Sequence, residues 1–183
     1  MKIGLVGESP NDTVSIQSLL SQIFPDFEYV TMIRNLTGAQ LEQVQPTKSL
    51  LRIEYQIQKP DVVVFVRDLD GLPNDQEQIR RRKEYFAEFR TVVDNKALPL
   101  LIIYEIEAYI LAHIDVFNQR FNCQVPDHAD PTLVKEPKEV LKSYCKRYAE
   151  GHNAKIFEEI DAHIVMDKCA SFAKLVDELK ARV

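Results

Sequence analysis

The chain predicts an α/β fold: a mostly parallel sheet with flanking helices, followed by a helical C-terminal extension. Two observations predict it. Through the first 113 residues, short apolar runs alternate with segments of helical period, in the order β-α-β-α-β-α-β-α. Beyond that stretch no further strand pattern occurs, and amphipathic helical segments follow a polar connection.

Each element has its own signal. Lys2–Val6 is a short apolar run ending in Gly7-Glu8. Pro10, Asn11 and Asp12 make a turn and a helix cap, and from Thr13 the residues Ile16, Leu19, Leu20, Ile23 and Phe24 fall at helical spacing until Pro25. Phe27–Ile33 alternates loosely and reads as a strand. Asn35–Pro46, with Gly38 inside it, reads as loop, and Ser49–Gln58 as a helix that stops before Pro60. Asp61–Val66 is the central strand. Gly71 and Pro73 mark a turn, after which Asn74 or Asp75 caps a long helix running to about Asn95. Leu98–Tyr104 is a fourth strand and Glu105–His113 a short helix. Asn122–Pro137, rich in Pro and Asp, is a long connection; Lys138–Ala149, Ala154–Ile164 and Ala170–Ala181 read as helices. The domain expectation is an α/β core over residues 1–115 and a helical extension over residues 116–183, packed on that core.

Composition narrows the class. With 183 residues, 45% of them apolar and 28% charged, the chain is an ordinary globular sequence long enough to bury a core. No apolar run reaches the roughly 18 residues of a membrane span, and MKIGLVGE lacks the layout of a signal peptide, so a cytoplasmic location is expected. Three cysteines far apart and four histidines without zinc spacing read as reduced, mostly structural side chains. A net charge of −5 argues against indiscriminate coating of nucleic acid but not against an enzyme acting on it.

Chemistry concentrates where strands end. Glu8 follows the first strand, Asp68 and Asp70 end the central one, and Glu105 and Glu107 follow the fourth. Parallel sheets gather ligands at the carboxyl ends of their strands. Residues two apart along a strand share a face, so Asp68 and Asp70 are able to meet a common point. Clustered carboxylates raise one another's pKa values, and a divalent cation relieves the repulsion; oxygen donors without thiolates select Mg²⁺ or Mn²⁺ over zinc. Against this stand the bland readings: DxD beside glycine as a solvated turn, Glu8 as an acid at a helix start, Glu105 and Glu107 on a solvated helix face. The joint placement of these acids after three separate strands favours the metal site. The basic run Arg80–Lys83 reads as a solvated face offset by Glu77 and Glu84, and Arg67 is the better candidate for a phosphate contact.

The DxDG segment is also similar to the nucleophile motif of haloacid-dehalogenase-like phosphatases, though that motif belongs on a first strand, and a phosphorylation receiver needs a lysine after a fifth strand. The closer resemblance is to the Toprim fold of topoisomerases, primases and the OLD (overcoming lysogenization defect) nucleases. It is carried by Val6-Gly7-Glu8-Ser9-Pro10-Asn11-Asp12, by Asp68-Leu69-Asp70, and by Tyr104-Glu105-Ile106-Glu107-Ala108-Tyr109, which resembles a segment of OLD-related and small stand-alone bacterial Toprim-like proteins. Pro137–Leu141 and Ser171–Leu179 resemble the small stand-alone group more weakly. Ser9 departs from the glycine common after the Toprim glutamate, and Gly71 stands where some members carry a further acid.

The resemblance implies roles. Glu8 is a metal ligand or general acid/base, Asp68 and Asp70 bind Mg²⁺ or Mn²⁺, Glu105 or Glu107 completes a second metal position, and Asp12 is an outer ligand. The implied activity is metal-dependent phosphodiester hydrolysis of DNA or RNA in a bacterial defence or repair system, with two ions typically about 3.5–4 Å apart. The alternative is a non-catalytic partner subunit of an ATPase or effector, docked through residues 138–183; a phosphatase is the third reading.

Overall fold

The computed structural model describes residues 1–34, 40, 43–69, 71 and 74–183. Within them four strands form one all-parallel sheet: β1 (Lys2–Val6), β2 (Glu28–Thr31), β3 (Val62–Asp68) and β4 (Ala97–Ile102), in the spatial order β2-β1-β3-β4. Nine helices surround it among the described residues: α1 (Pro10–Ile23), α2 (Val44–Gln58), α3 (Gln76–Arg90), α4 (Glu107–Ala112), α5 (Ile114–Phe121), α6 (Pro137–Tyr144), α7 (Asn153–Phe157), α8 (Ala162–Lys168) and α9 (Ala170–Lys180). No described helix is long and apolar enough to cross a membrane.

The period-two alternation of the strands divides the core. Ile3, Leu5, Val62, Val64, Val66, Leu98, Leu100 and Ile102 face one layer, which α1 and the C-terminal helices cover with Ile16, Leu19, Leu141, Phe157, Phe172 and Leu175. Val63 and Phe65 face the other, covered by Leu51 and Tyr55 of α2 and Tyr85 and Phe89 of α3. Residues expected to form a C-terminal extension thus belong to the same apolar cluster as one sheet face. Gln22 of α1 ties the two regions together, donating to the Ile160 carbonyl at 2.8 Å and accepting from the Ala162 N–H at 3.0 Å. Gly4 leaves room for the buried Met32: a Cβ there would lie 2.5 Å from the Met32 sulfur and would force that side chain to shift.

The strand order matters for function. The chain leaves β1 towards β2 on one side, then returns to place β3 and β4 on the other. Such a reversal opens a crevice at the carboxyl ends of β1 and β3, where open parallel sheets bind ligands. Arg67 and Asp68 extend β3 two residues past the expected end at Val66. Their backbones pair with Leu101 and Ile102, and Leu69 N–H donates to the Ile102 carbonyl at 2.8 Å, so ladder pairing overrides the charge of the side chains.

Other boundaries shift for identifiable reasons. Helix α1 begins at Pro10 with Ser9 as its N-cap, not at Thr13. Helix α2 begins at Val44, because Pro46 sits in the first turn, where a missing N–H costs nothing. Most of the loop expected over Asn35–Pro46 lies outside the described residues, as do Asp70 and Pro73. The long helix α3 stops at Arg90 and passes through a 3₁₀ turn (Thr91–Val93) into left-handed Asp94. The helix expected to end at His113 is followed at once by α5. The segment expected as one helix over Ala154–Ile164 is two, because Asp161 accepts a hydrogen bond from His163 N–H at 2.8 Å and starts α8.

Candidate functional site

A cavity of about 270 Å³ opens at the β1/β3 crevice, lined by Glu8, Ser9, Asn11, Asp12, Asp68, Glu105, Ile106, Glu107, Lys138, Glu150 and Asn153. Five of the six acids marked as candidates in the sequence line it: Glu8, Asp12, Asp68, Glu105 and Glu107. The sixth, Asp70, lies outside the described residues.

Glu8 is separated from the end of β1 by one residue, Gly7. Its Oε1 lies 3.0 Å from Arg67 Nε, but the N–H is not aligned for a directed hydrogen bond, so the contact is mainly Coulombic. Arg67 was expected to meet a phosphate. Alternation along β3 instead turns it to the opposite sheet face from Asp68. Its side chain is 2% exposed, its guanidinium carbon stands 4.7 Å from the Tyr85 ring centre, and it does not line the cavity. It serves as a buried counter-ion beneath Glu8. Asp68, at the end of β3, reaches the cavity from the sheet face shared by Val62, Val64 and Val66.

Asp12 occupies the third position of α1. Its Oδ2 accepts from Ser9 N–H at 2.9 Å, while Ser9 Oγ accepts from Asp12 N–H at 3.3 Å, a reciprocal capping box. Serine at position 9, a departure from the Toprim pattern, is what closes this box. Burial raises the Asp12 pKa from 3.8 to about 6; the Ser9 hydrogen bonds oppose the shift, and the charges of Glu8 and Glu107 add to it.

Glu107 opens α4 and is 2% exposed. Its Oε1 lies 3.1 Å from Tyr148 Oη and 3.0 Å from Asn153 Nδ2, and Tyr148 Oη lies 2.7 Å from Asn153 Oδ1. The single phenolic proton is thus shared between two acceptors. If Asn153 takes it, a protonated Glu107 is able to donate to the phenol oxygen. Burial pushes the Glu107 pKa up; the Asn153 hydrogen bond and Lys138 oppose this, and Glu105 reinforces it. Burial likewise raises the Tyr148 pKa, with Glu107 adding to the effect.

Glu105 hangs from the β4–α4 turn, where Tyr104 adopts a left-handed conformation at φ 57°. Its Oε2 accepts from the backbone N–H of Lys138 at 3.2 Å, so it caps the first turn of α6 from a distance. Its Oε1 lies 3.2 Å from Lys138 Nζ, which also stands 3.2 Å from Glu150 Oε1. Burial works against the Lys138 charge, but Glu105, Glu107 and Glu150 outweigh it and hold the ammonium protonated above its ordinary range.

Lys138, Tyr148, Glu150 and Asn153 were not singled out from sequence. Tyr148 and Asn153 approach Glu107 from 41 and 46 residues away, through loops around α6 and α7 that carry no motif. Lys138 falls inside the Pro137–Leu141 segment whose resemblance was noted, which is the one available signal. The exposed Arg80 and Arg81 pair with Glu84 and Glu77 along α3, as a solvated face does. Cys145 and Cys169 are buried free thiols, and burial pushes Cys169 up to about 12.

The donors are of the kind a hard divalent cation takes: they are carboxylates, and burial, with a smaller contribution from neighbouring acids, raises the proton affinity of Asp12 and Glu107. Among the described residues no three Asp, Glu, His or Cys side chains come together tightly enough to hold an ion by themselves.

Neither a curated protein nor a solved structure matches the chain. One family does: DUF4276, a domain of unknown function, matches residues 8–180, from the first acid of the cavity to the end of α9, and the chain belongs to that family.

Proposed function

We propose that the crevice is the site of Mg²⁺- or Mn²⁺-dependent hydrolysis of phosphodiester bonds in nucleic acid. The observation that carries this reading is the meeting of Glu8, Asp68, Glu105 and Glu107, delivered by three separate strand ends, in one cavity at the switch point of a parallel sheet. Glu8 and Asp68 would supply oxygens to the cation, with Asp12 as an outer ligand and Asp70, two residues on from Asp68, as the further candidate. A bound cation would supply Lewis acidity to the reacting phosphate and water.

The protein's own groups have distinct tasks. Arg67 fixes the Glu8 carboxylate from below and offsets part of the negative charge at the crevice floor. Hydrolysis makes one P–O bond to the water oxygen and breaks another to a sugar oxygen; the water gives up a proton and the leaving oxygen takes one. Glu107, with its raised proton affinity and its contacts to Tyr148 and Asn153, suits the holding of that proton.

The test is cleavage of single-stranded, duplex and nicked DNA, and of RNA, with Mg²⁺ or Mn²⁺, comparing wild type with Glu8→Gln and Asp68→Asn. Each variant should cut at least 100-fold more slowly. Variants that cut as fast as wild type would place the chemistry elsewhere. The non-catalytic partner-subunit reading is favoured by the engagement of Glu8 and Glu105 with resident cations; it gains if wild type neither binds metal nor cuts.

A further inference from the structure

Lys138 sits among the acids without belonging to the sheet that delivers them. It enters from the first turn of α6 and uses two of its own groups on one carboxylate: its backbone N–H on Glu105 Oε2 and its ammonium on Glu105 Oε1, each at 3.2 Å. The same ammonium reaches Glu150 at 3.2 Å and feels the charge of Glu107. Both oxygens of Glu105 are thereby engaged by a single residue. A divalent ion would need those oxygens, and a fixed positive charge already holds the space in front of them.

We propose that the Lys138 ammonium takes the place of a second cation, so that the cavity binds one divalent ion, on the side of Glu8 and Asp68. This rests on the metal-dependent reading above and sharpens it: one exchangeable ion and one permanent charge, in place of two exchangeable ions. The physical reason is charge balance. Glu105, Glu107 and Glu150 repel one another at close quarters, and an ammonium tethered by four methylenes relieves that repulsion without dissociating. It also leaves a cation facing the cavity that is independent of metal concentration, suited to an anionic phosphate oxygen.

The experiment counts ions. Mn²⁺ binding to the purified chain is titrated by electron paramagnetic resonance of the free ion, for wild type, Lys138→Met, Lys138→Gln and Lys138→Arg, each checked for native circular dichroism. Wild type and Lys138→Arg should bind one Mn²⁺; Lys138→Met and Lys138→Gln should bind two, the second more weakly. Two ions on wild type, one on both neutral variants, or two on Lys138→Arg would overturn the inference while leaving metal dependence standing. No ion on wild type would overturn the metal reading and this inference with it. Should neither neutral variant fold, the wild-type count still decides, since two ions there refute the proposal.

Discussion

Asp12 allows a quantitative test of what burial in the cavity does to a carboxylate. Its pKa of about 6, against 3.8, means that the folded state keeps a proton that the unfolded chain releases. The sign follows: the folded state carries no penalty below pH 3.8, loses stability as pH rises through about 6, and is level beyond that. About two units at 1.36 kcal/mol each set an upper bound of about 3 kcal/mol, and solvent at the cavity mouth reduces this to about 2 kcal/mol. The perturbation is Asp12→Asn. The amide oxygen still accepts from Ser9 N–H, so the capping box survives while the charge is lost. In EDTA at pH 7 the variant should be more stable than wild type by about 2 kcal/mol, a rise of about 1 M in urea midpoint at a typical slope of about 2 kcal/mol/M. At pH 4 the two should nearly coincide. Glu107 shifts in the same direction and is coupled to Asp12, so the difference curve reports Asp12 together with the smaller change its charge imposes on Glu107. A difference that stays flat from pH 4 to 7, or a variant less stable at pH 7, would refute the reasoning.

Two further outcomes concern stability. Tyr148→Phe removes the hydroxyl between Glu107 and Asn153 Oδ1 and strands a buried acceptor, so urea unfolding should show a loss of about 1–3 kcal/mol. Phe172→Ala on α9 empties a fully buried position whose ring centre lies 5.8 Å from that of Tyr109; it should cost about 3–5 kcal/mol in a single unfolding transition if the C-terminal helices share the sheet's core, and leave a separate sheet transition unmoved if they do not.

The acids were legible because of where apolar runs stop. Val62–Val66 is too apolar to face water, so the charged residues that follow mark the edge of the sheet, and the same holds for Lys2–Val6 before Glu8. Helix α9 was legible because Phe172, Leu175, Val176 and Leu179 repeat at helical period and are all buried. The direction of the Arg67 side chain was not legible, because the sequence shows only that it adjoins Asp68. Alternation then sends adjacent side chains to opposite faces, one into the cavity and one beneath it. The break between α7 and α8 escaped notice because a single capping aspartate, Asp161, outweighs a continuous helical pattern.

By itself the sequence determined the α/β class, the parallel alternation and the delivery of carboxylates to strand ends, because these are local consequences of apolar period and chain punctuation. The tertiary structure alone decided the strand order that opens the crevice between β1 and β3, and the arrival of Lys138, Tyr148 and Asn153 from the C-terminal part of the chain. Those are contacts between residues 33 to 46 positions apart, set by how packed layers bury their apolar faces, and no local pattern encodes them.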